Sequence, residues 1–369
     1  MNVSDDIIII GGGLMGLSLA VELKLRGANV TVLSRNFHEA AGHVAAGMLA
    51  PQAEAIPPGP MLELGLRSRS LYPQWTQKLE QITGLDTSYW PCGILAPVYE
   101  IPDTTKIDHP ADSPAIWLDQ QAINQHQPGL GADVVGGWWF PQDAQVDNRR
   151  HLVKALQAAS QQLGVQTLEG VEVQAIIGHS KAVEAIKTNR GTITGSQYIL
   201  TTGAWTGQLL PQIPVYPRKG QMLSVKVPEN VDSLPLKQVL FGTEIYVVPR
   251  RDGLIVIGAT LEDVGFNVGL TPDGVQSLLW RAIRIFPLLR DFPIQEFWWG
   301  FRPTTPDLLP ILGSSPFENL TLAVGHYRNG ILLAPITAQL IAEWVLEQKS
   351  DPLLEYFCWE RFSTAQLLH

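Results

Sequence analysis

Three glycines near the N-terminus have the spacing of a phosphate-binding turn. Ile7–Ile10 is a run of four β-branched residues that leads directly into Gly11-x-Gly13-x-x-Gly16, and the apolar segment 17–25 follows. In a βαβ unit the first glycine forms the tight turn, the second lets the backbone approach a pyrophosphate, and the third lets the helix pack on the strand. Free N–H groups at the helix start then bind the pyrophosphate. The sequence therefore predicts a dinucleotide site.

The end of the next strand, predicted over Asn29–Leu33, bears on which dinucleotide binds, because a side chain there meets the adenosine ribose. NAD and FAD sites usually carry Asp or Glu at this point, whereas this chain has Ser34 followed by Arg35. A serine beside an arginine suits the 2′-phosphate of NADP. These residues alone therefore leave NADP open.

Two polar residues on apolar segments are candidates for binding a carboxylate. Arg302 closes an apolar strand and precedes Pro303, which disfavours helix and is expected to end or turn the strand. A guanidinium fixed there can bind a carboxylate through two parallel hydrogen bonds. Tyr246 alternates with Ile245 and Val247, so its hydroxyl points to the opposite strand face and is a second candidate. From position alone, an inter-strand arginine and a packing tyrosine remain open.

The elements that must position these residues alternate between helices and strands. A helix is predicted from an Asp147 N-cap to Leu163, which Gly164 would end. Further helices are predicted over residues 17–25, 61–83, 272–286 and 331–345. Strands are predicted over residues 89–96, 136–140, 171–177, 182–188, 191–200, 221–227, 245–249, 254–259 and 294–302. Arg251-Asp252-Gly253 would join two of them, and Pro102–Pro114 is the most loop-like segment.

Composition excludes several classes of protein. The 369 residues are enough for two domains, and the net charge of −9 argues against a nucleic-acid partner. Two cysteines give no disulfide framework, and no metal is expected because the eight histidines lack metal-ligand spacing. The N-terminus does not read as a signal peptide, and no uninterrupted apolar run predicts membrane insertion. We expect a cytoplasmic protein.

Four further segments, taken in chain order, identify a family. They read VAAGMLAP (44–51), GATL (258–261), GFRP (300–303) and GHYRNGILLAP (325–335). With the glycine motif they cover nearly the whole chain, which resembles the D-amino-acid oxidase family of flavoproteins. The resemblance implies non-covalently bound FAD in place of NADP, because no cysteine stands where related enzymes tether flavin. It is strongest to the branch that oxidises glycine and serves thiazole synthesis in thiamine biosynthesis.

The resemblance implies an α/β fold in which a Rossmann-type FAD-binding domain is interleaved with a substrate domain on a mainly antiparallel sheet. The FAD-binding domain would comprise residues 1–85, 147–215 and 303–369, and the substrate domain residues 86–146 and 216–302. Arg302 and Tyr246 would bind the substrate, and Arg328 would contact substrate and flavin. The residues expected to bind FAD are Gly11, Gly13, Leu14, Met15, Gly16, Ser34, Arg35, Gly42, His43, Ala45, Ala46, Gly47, Met48, Val173, Thr202, Gly203, Trp205, His326, Tyr327, Arg328, Asn329, Gly330, Ile331 and Leu332.

The implied reaction is hydride transfer from the substrate Cα to flavin N5, followed by reoxidation with O2 to give hydrogen peroxide. The imine would hydrolyse to glyoxylate and ammonia. The expected partners are a small amino acid, O2, further copies of the chain and a thiazole-synthesis protein. The alternatives are a D-amino-acid oxidase, an amine dehydrogenase with another electron acceptor, and a flavin-binding subunit without turnover. Ser34 and Leu261 depart from the family pattern, and Leu261 bears on the size of the substrate pocket.

Overall fold

The computed structural model of the chain describes residues 7–100, 115–231 and 233–362. The segment Pro102–Pro114, predicted to be a loop, lies outside the described residues. Two large sheets and the helices that cover them make up an α/β fold. The predicted fold class is therefore confirmed.

A six-stranded sheet forms the Rossmann-type part. Its spatial order is β19 (Ile311–Gly313), β20 (Leu320–Val324), β13 (Gln197–Leu200), β1 (Ile7–Ile10), β2 (Val30–Ser34) and β9 (Gln166–Glu169). All neighbours in this sheet are parallel except β19, which runs antiparallel to β20. Every residue of β1, β2 and β20 is buried, as expected for central strands covered on both faces.

The helices of the described residues are α1 (Leu14–Leu25), α2 (Pro60–Thr83), α3 (Gln120–His126), α4 (Val153–Gln162), α5 (Thr206–Leu209), α6 (Pro272–Ile285), α7 (Gly330–Glu347) and α8 (Leu353–Tyr356). Helix α1 begins at Leu14, three residues before the predicted apolar segment, because Gly13 is its N-cap. By length and composition α7 would suffice to cross a membrane, but it packs against α1 and α2 with most of its residues buried.

An eight-stranded sheet forms the second part. Its spatial order is β18 (Ile294–Thr304), β14 (Tyr216–Lys226), β17 (Leu254–Gly258), β16 (Ile245–Pro249), β15 (Val239–Gly242), β5 (Ile94–Val98), β7 (Gly136–Phe140) and β6 (Ile116–Asp119). Only β15 and β5 pair in parallel. Helix α6 covers one face, where Leu278 and Ala282 join Leu223 and Val225 in one apolar core. The opposite face is left for the site described below.

Two three-stranded antiparallel sheets complete the fold. One contains β3 (Met48–Leu49), β8 (Ala144–Val146) and β4 (Tyr89–Trp90). The other contains β10 (Val173–His179), β11 (Ala182–Thr188) and β12 (Gly191–Ile193). The sheet of β3, β8 and β4 pairs the segment after Gly47 with the segment that leads into α4. The Val146 N–H also donates to the Gly47 carbonyl at 2.8 Å.

Three sequence predictions are corrected by the strands. The strand of Arg302 does not end at Pro303, because β18 continues to Thr304 and lies at the sheet edge, where a missing N–H is tolerated. The single strand predicted over 89–96 divides into β4 and β5, which belong to different sheets. The strand predicted over 191–200 likewise divides into β12 and β13, so only its second half reaches the parallel sheet.

The helix predicted from Asp147 is confirmed, with one local difference. Asp147 accepts a hydrogen bond from the Arg150 N–H, but the first turn, Asn148–Leu152, is π-helical before α4 begins. The helix ends at Gln162, and Gly164 follows its C-cap, Leu163, with a φ of +74° that suits glycine. The turn Arg251-Asp252-Gly253 joins β16 to β17 as predicted.

Candidate active site

A long cleft opens at the carboxyl end of the parallel strands, where α/β proteins bind ligands. We call it the glycine-turn cleft, because the turn Gly11–Gly13 forms one wall. The segments after β2, β13 and β20 form the others. The predicted cofactor residues that line it are Gly11, Gly13, Leu14, Met15, Ser34, Arg35, Gly42, Ala45, Val173, Thr202, Gly203, Trp205, His326, Tyr327, Arg328, Gly330 and Ile331.

The three motif glycines leave space for different neighbours. Gly11 has φ of +113°, and a Cβ there would lie 2.6 Å from the Thr201 carbonyl oxygen. A Cβ on Gly16 would lie 1.9 Å from the Gly11 carbonyl oxygen, so this glycine permits contact between α1 and the turn. Gly13 differs, because its Cβ would meet only Ala40, at 3.4 Å. Its open side faces the cleft, which fits a backbone approach to a pyrophosphate.

Arg35 is engaged by acidic neighbours inside the cleft. Its Nε donates to Glu39 at 3.1 Å and its Nη1 donates to Glu172 at 3.3 Å. Both glutamates line the cleft beside the buried Ser34. A 2′-phosphate would therefore meet two carboxylates and an arginine already paired, whereas a ribose hydroxyl could donate to the carboxylates. The cleft suits FAD better than NADP.

A second cavity of about 600 Å³ adjoins the cleft, a volume typical of small-molecule sites. We call it the arginine cavity, after Arg302 and Arg328 in its wall. Tyr246 also lines it, as do Ala45, Ala46, Gly47, Met48, Tyr327 and Ile331. The cavities meet at residues that belong to both walls, namely Ala41, Ala45, Tyr327, Arg328 and Ile331. One ligand can therefore extend through both cavities.

Arg302 is held on one side and open on the other. Its Nη1 donates to the carbonyl oxygens of Thr260, at 3.0 Å, and Lys219, at 3.2 Å. Gly220 of β14, two residues beyond the partner of Arg302 in the strand pair, leaves room for the guanidinium, because a Cβ there would lie 2.4 Å from Nη1. These contacts fix the guanidinium while its other edge faces the arginine cavity, as anion binding requires.

Tyr246 lies next to this guanidinium. Its ring covers Gly258, where a Cβ would lie 2.6 Å from the tyrosine Cε2. Burial raises the pKa of the Tyr246 hydroxyl, and the nearby Arg302 acts in the opposite direction. The hydroxyl is therefore protonated at neutral pH. It donates to the Met222 sulfur at 3.8 Å, which is a weak acceptor, so the O–H can donate to a carboxylate instead.

Arg328 is paired with an acid that was not among the predicted site residues. Its Nη2 lies 3.6 Å from the Oε1 of Glu54, a mostly buried residue in the same cavity. Burial raises the pKa of the Glu54 carboxyl, and Arg328 and Arg302 lower it. Since Glu54 offsets the charge of Arg328, the guanidinium of Arg302 is left for a substrate carboxylate. A lone acid among the small and apolar residues 44–56 was the only sequence signal for it.

Four predicted cofactor residues line neither cavity. Gly16 packs on the turn, and Asn329 caps α7. Leu332 is buried in the apolar core, with its carbonyl accepting from Ser68. The ring of His43 lies 5.3 Å from that of His38 at a tilt of 52°, and burial lowers the pKa of His43 to about 4. These residues support the walls of the site from behind.

His326 lines the glycine-turn cleft as an uncharged group. It is 4% exposed, and its Nε2 lies 3.2 Å from the Thr337 hydroxyl. Burial lowers the pKa of the imidazole to about 3. At neutral pH the cleft therefore carries no charge at this position.

Comparisons with known proteins agree with this architecture. The model of the family "FAD dependent oxidoreductase" matches residues 6–344. The "Bifunctional protein ThiO/ThiG" of Trichormus variabilis is 61% identical over 360 residues, which are 97% of this chain and 55% of that protein. The chain thus spans about half the length of this relative.

Shorter relatives match over nearly their whole length. The glycine oxidase of Pseudomonas aeruginosa is 33% identical, and the match covers 95% of this chain and 97% of that protein. The crystal structure of glycine oxidase from Geobacillus kaustophilus superimposes with a TM-score of 0.90 at 30% identity, covering 97% of this chain and 99% of that chain. Together with the family match and the cleft, these similarities show that the chain belongs to the family of FAD-dependent oxidoreductases.

Proposed function

We propose that this chain oxidises glycine and other small amines, such as sarcosine and small D-amino acids, with FAD and O2. The observation that carries the proposal is the open edge of Arg302 beside the Tyr246 hydroxyl, in a cavity that adjoins the cofactor cleft. A guanidinium and a hydroxyl donor together match a carboxylate. The relatives named glycine oxidase support the choice of amine.

In this mechanism the protein positions the substrate. Arg302 binds the carboxylate with its open edge and Tyr246 donates a further hydrogen bond, which fixes the orientation of Cα. FAD held in the glycine-turn cleft would supply the hydride acceptor, N5, for oxidation at Cα and would pass the electrons to O2. Glu54 and Arg328 form a nearly neutral pair, so the neutral amine required for hydride transfer meets no excess of positive charge.

The atoms balance over one turnover. Glycine, O2 and water give glyoxylate, ammonia and hydrogen peroxide, because the oxidation removes two hydrogens and water then hydrolyses the imine. The residues expected to hold FAD are the predicted ones that line the two cavities, with Glu39 and Glu172 added at the ribose end. We keep residues 1–85, 147–215 and 303–369 as the FAD-binding domain and 86–146 and 216–302 as the substrate domain.

The relatives named ThiO/ThiG support a link to thiazole synthesis, with a synthase as partner or as a fused domain. Assembly into homo-oligomers and a cytoplasmic location also belong to the proposal. The alternatives remain a D-amino-acid oxidase, an amine dehydrogenase using another acceptor, and a flavin-binding subunit without turnover. Leu261 lines the cavity wall and is 55% exposed. The size of this side chain would affect how large an amine the cavity admits.

The test is a substrate panel of glycine, sarcosine and D-alanine, measured with an oxygen electrode and a peroxide assay on purified yellow protein. We expect glycine to be oxidised with one hydrogen peroxide formed per O2 consumed. Flavin reduction by glycine without O2 uptake would identify a dehydrogenase. Preference for D-alanine by tenfold or more would identify a D-amino-acid oxidase, and no reduction by any amine would favour the subunit.

A further inference from the structure

The loop Gly42–Met48 separates the two cavities, and other parts of the chain hold its carbonyl oxygens. Its residues line the glycine-turn cleft at Gly42 and Ala45 and the arginine cavity from Val44 to Met48. The carbonyls of Gly42, Val44, Ala45, Ala46 and Gly47 each accept a hydrogen bond from outside the loop. The orientation of this loop is therefore set by its surroundings.

Three buried side chains from three different elements provide most of these bonds. Asn148 donates through Nδ2 to Gly42, at 2.5 Å, and to Ala45, at 2.9 Å. Arg250, the residue after β16, donates to the Ala46 carbonyl at 2.7 Å. Trp298 of β18 donates through Nε1 to Val44 at 2.9 Å.

Arg250 is an unusual group to bury for this purpose. It is 5% exposed, and it also donates to the Gln145 side chain at 2.5 Å and the Val146 carbonyl at 3.2 Å. Burial lowers its pKa, and the nearest acid, Asp147, lies 3.7 Å away. A buried cation is costly unless its hydrogen bonds are satisfied. Here backbone and amide oxygens, rather than close carboxylates, accept from the two terminal nitrogens, while the buried Nε has no hydrogen-bond partner among the described residues.

Holding a carbonyl also fixes the direction of the next N–H. In a trans peptide the C=O of one residue and the N–H of the following residue point in opposite directions. The bond from Arg250 to the Ala46 carbonyl therefore directs the Gly47 N–H away from Arg250. The bond from Asn148 to the Ala45 carbonyl likewise directs the Ala46 N–H away from Asn148.

These two N–H groups lack acceptors within the described part of the chain. Ala46 and Gly47 are both buried and both line the arginine cavity, yet neither N–H donates a hydrogen bond to another described residue. The Ala45 N–H differs, because it already donates to the Ala41 carbonyl at 3.1 Å. Buried N–H groups are almost always paired, so an acceptor is expected from a ligand.

We propose that Arg250 and Asn148 are positioning residues that aim the N–H groups of Gly47 and Ala46 at the flavin ring of bound FAD. The ring is the relevant part of FAD because Ala46 and Gly47 line the arginine cavity, where the substrate carboxylate would bind, and do not line the glycine-turn cleft. The two amides stabilise negative charge that develops on the ring when it accepts electrons. The backbone position of Gly47 requires glycine, because a Cβ added there would lie 1.9 Å from the Val146 carbonyl oxygen.

The test measures sulfite binding to the FAD-loaded protein. Sulfite donates its lone pair to flavin N5, and the ring takes up the negative charge, so its Kd reports on amide donors without any amine turnover. Arg250→Lys retains the charge but offers one ammonium in place of a planar group with several donors. Asn148→Asp keeps the shape and replaces the amide donor with an oxygen. In both variants we expect the sulfite Kd to rise about two- to tenfold, the equivalent of one weakened hydrogen bond, with a shift of the flavin absorption maxima.

Trp298→Phe is the matched control, because it removes the bond to the Val44 carbonyl in the same loop. The N–H of that peptide belongs to Ala45 and already donates to the Ala41 carbonyl. The variant should lower the thermal stability without changing the sulfite Kd. The proposal is overturned if Arg250→Lys and Asn148→Asp leave sulfite binding unchanged, or if Trp298→Phe changes it equally. It is also overturned if both variants are unfolded by circular dichroism, because the residues are then structural. A wild-type protein that binds no FAD would contradict the cofactor itself and is recognised before any variant is made.

Discussion

The glycine-turn cleft and the arginine cavity share a wall but are formed by different kinds of chemical group. The cleft is formed largely by backbone and by small or apolar residues, its histidine is uncharged, and its paired charges Arg35, Glu39 and Glu172 lie together at the ribose end. The cavity instead exposes charged and hydroxyl side chains held by specific contacts, with Arg302, Arg328, Glu54 and Tyr246 brought from four distant parts of the chain. The comparison indicates that cofactor affinity depends on close backbone packing, whereas substrate selection depends on a few charges.

Arg302→Ala is the largest test of this difference. The change removes the partner of the substrate carboxylate, a loss of about 3–5 kcal/mol for a broken buried ion pair. We expect kcat/KM for glycine to fall by roughly two to four orders of magnitude. FAD content should stay at the wild-type level, because Arg302 does not line the cleft. Oxygen uptake and flavin absorbance are measured on the same preparation. Near-normal turnover would mean that another residue, first of all Arg328, binds the substrate carboxylate.

The next test compares two glycines of the same turn. Gly13→Ala places a methyl group where the protein has room but a pyrophosphate would lie, so the FAD Kd should rise about 10- to 100-fold, about 1–3 kcal/mol. The thermal stability of the apoprotein should be nearly unchanged. Gly16→Ala places the methyl group against the Gly11 carbonyl and should lower both FAD affinity and apoprotein stability. Titration of the apoprotein with FAD measures the affinity, and a thermal melt measures the stability. Equal losses of both in the two variants would contradict a cofactor role for Gly13 and a packing role for Gly16.

Tyr246→Phe tests the weaker side of the arginine cavity. The variant keeps the ring that covers Gly258 and loses one hydroxyl donor. The expected loss in kcat/KM for glycine is closer to tenfold, about 0.5–1.5 kcal/mol. This loss is measured by steady-state oxygen uptake, with flavin content as the control. A loss as large as that of Arg302→Ala would show that the tyrosine, and not the guanidinium, dominates recognition.

How far could the sequence alone predict these two regions? Gly11, Gly13 and Gly16 were identifiable because the turn, the strand before it and the helix after it are contiguous in the chain. Glu54 was not predicted as a site residue, because its contact with Arg328 joins residues 274 positions apart and no local pattern encodes it. The extension of β18 beyond Pro303 was missed for a related reason, since its position at a sheet edge is a property of the whole sheet.

The last expected effect concerns His326 and the pH dependence of stability, and not substrate or cofactor binding. Its pKa is about 3 in the folded protein and 6.5 in the unfolded chain, so folding favours the neutral ring. The free energy of unfolding therefore contains no penalty above pH 6.5 and decreases as the pH falls from 6.5 towards 3. At pH 5 the loss from this residue would be about 2 kcal/mol.

His326→Asn removes that titration, so the difference in unfolding free energy between pH 7 and pH 5 should be smaller in the variant. Asp143, whose pKa burial raises to about 6, and His43 are present in both proteins and cancel in the comparison. Thermal or urea unfolding of the FAD-loaded proteins at the two pH values measures the difference. If the unfolding free energy changes equally with pH in the two proteins, the pKa of His326 is not lowered on folding and its ring is protonated in the folded protein at pH 5.

The strand order of the parallel sheet has a consequence for how the protein is made on the ribosome. The first strand, Ile7–Ile10, lies beside Gln197–Leu200, and the strand that completes this neighbourhood is Leu320–Val324. The glycine motif and its neighbour Val30–Ser34 are therefore synthesised long before the strands that complete the sheet around them. Such long-range pairing forms slowly, and unpaired apolar strands are exposed to aggregation until the partner strand is synthesised. Any transcript truncated before Val324 would yield a chain that has the cofactor motif but cannot complete its sheet.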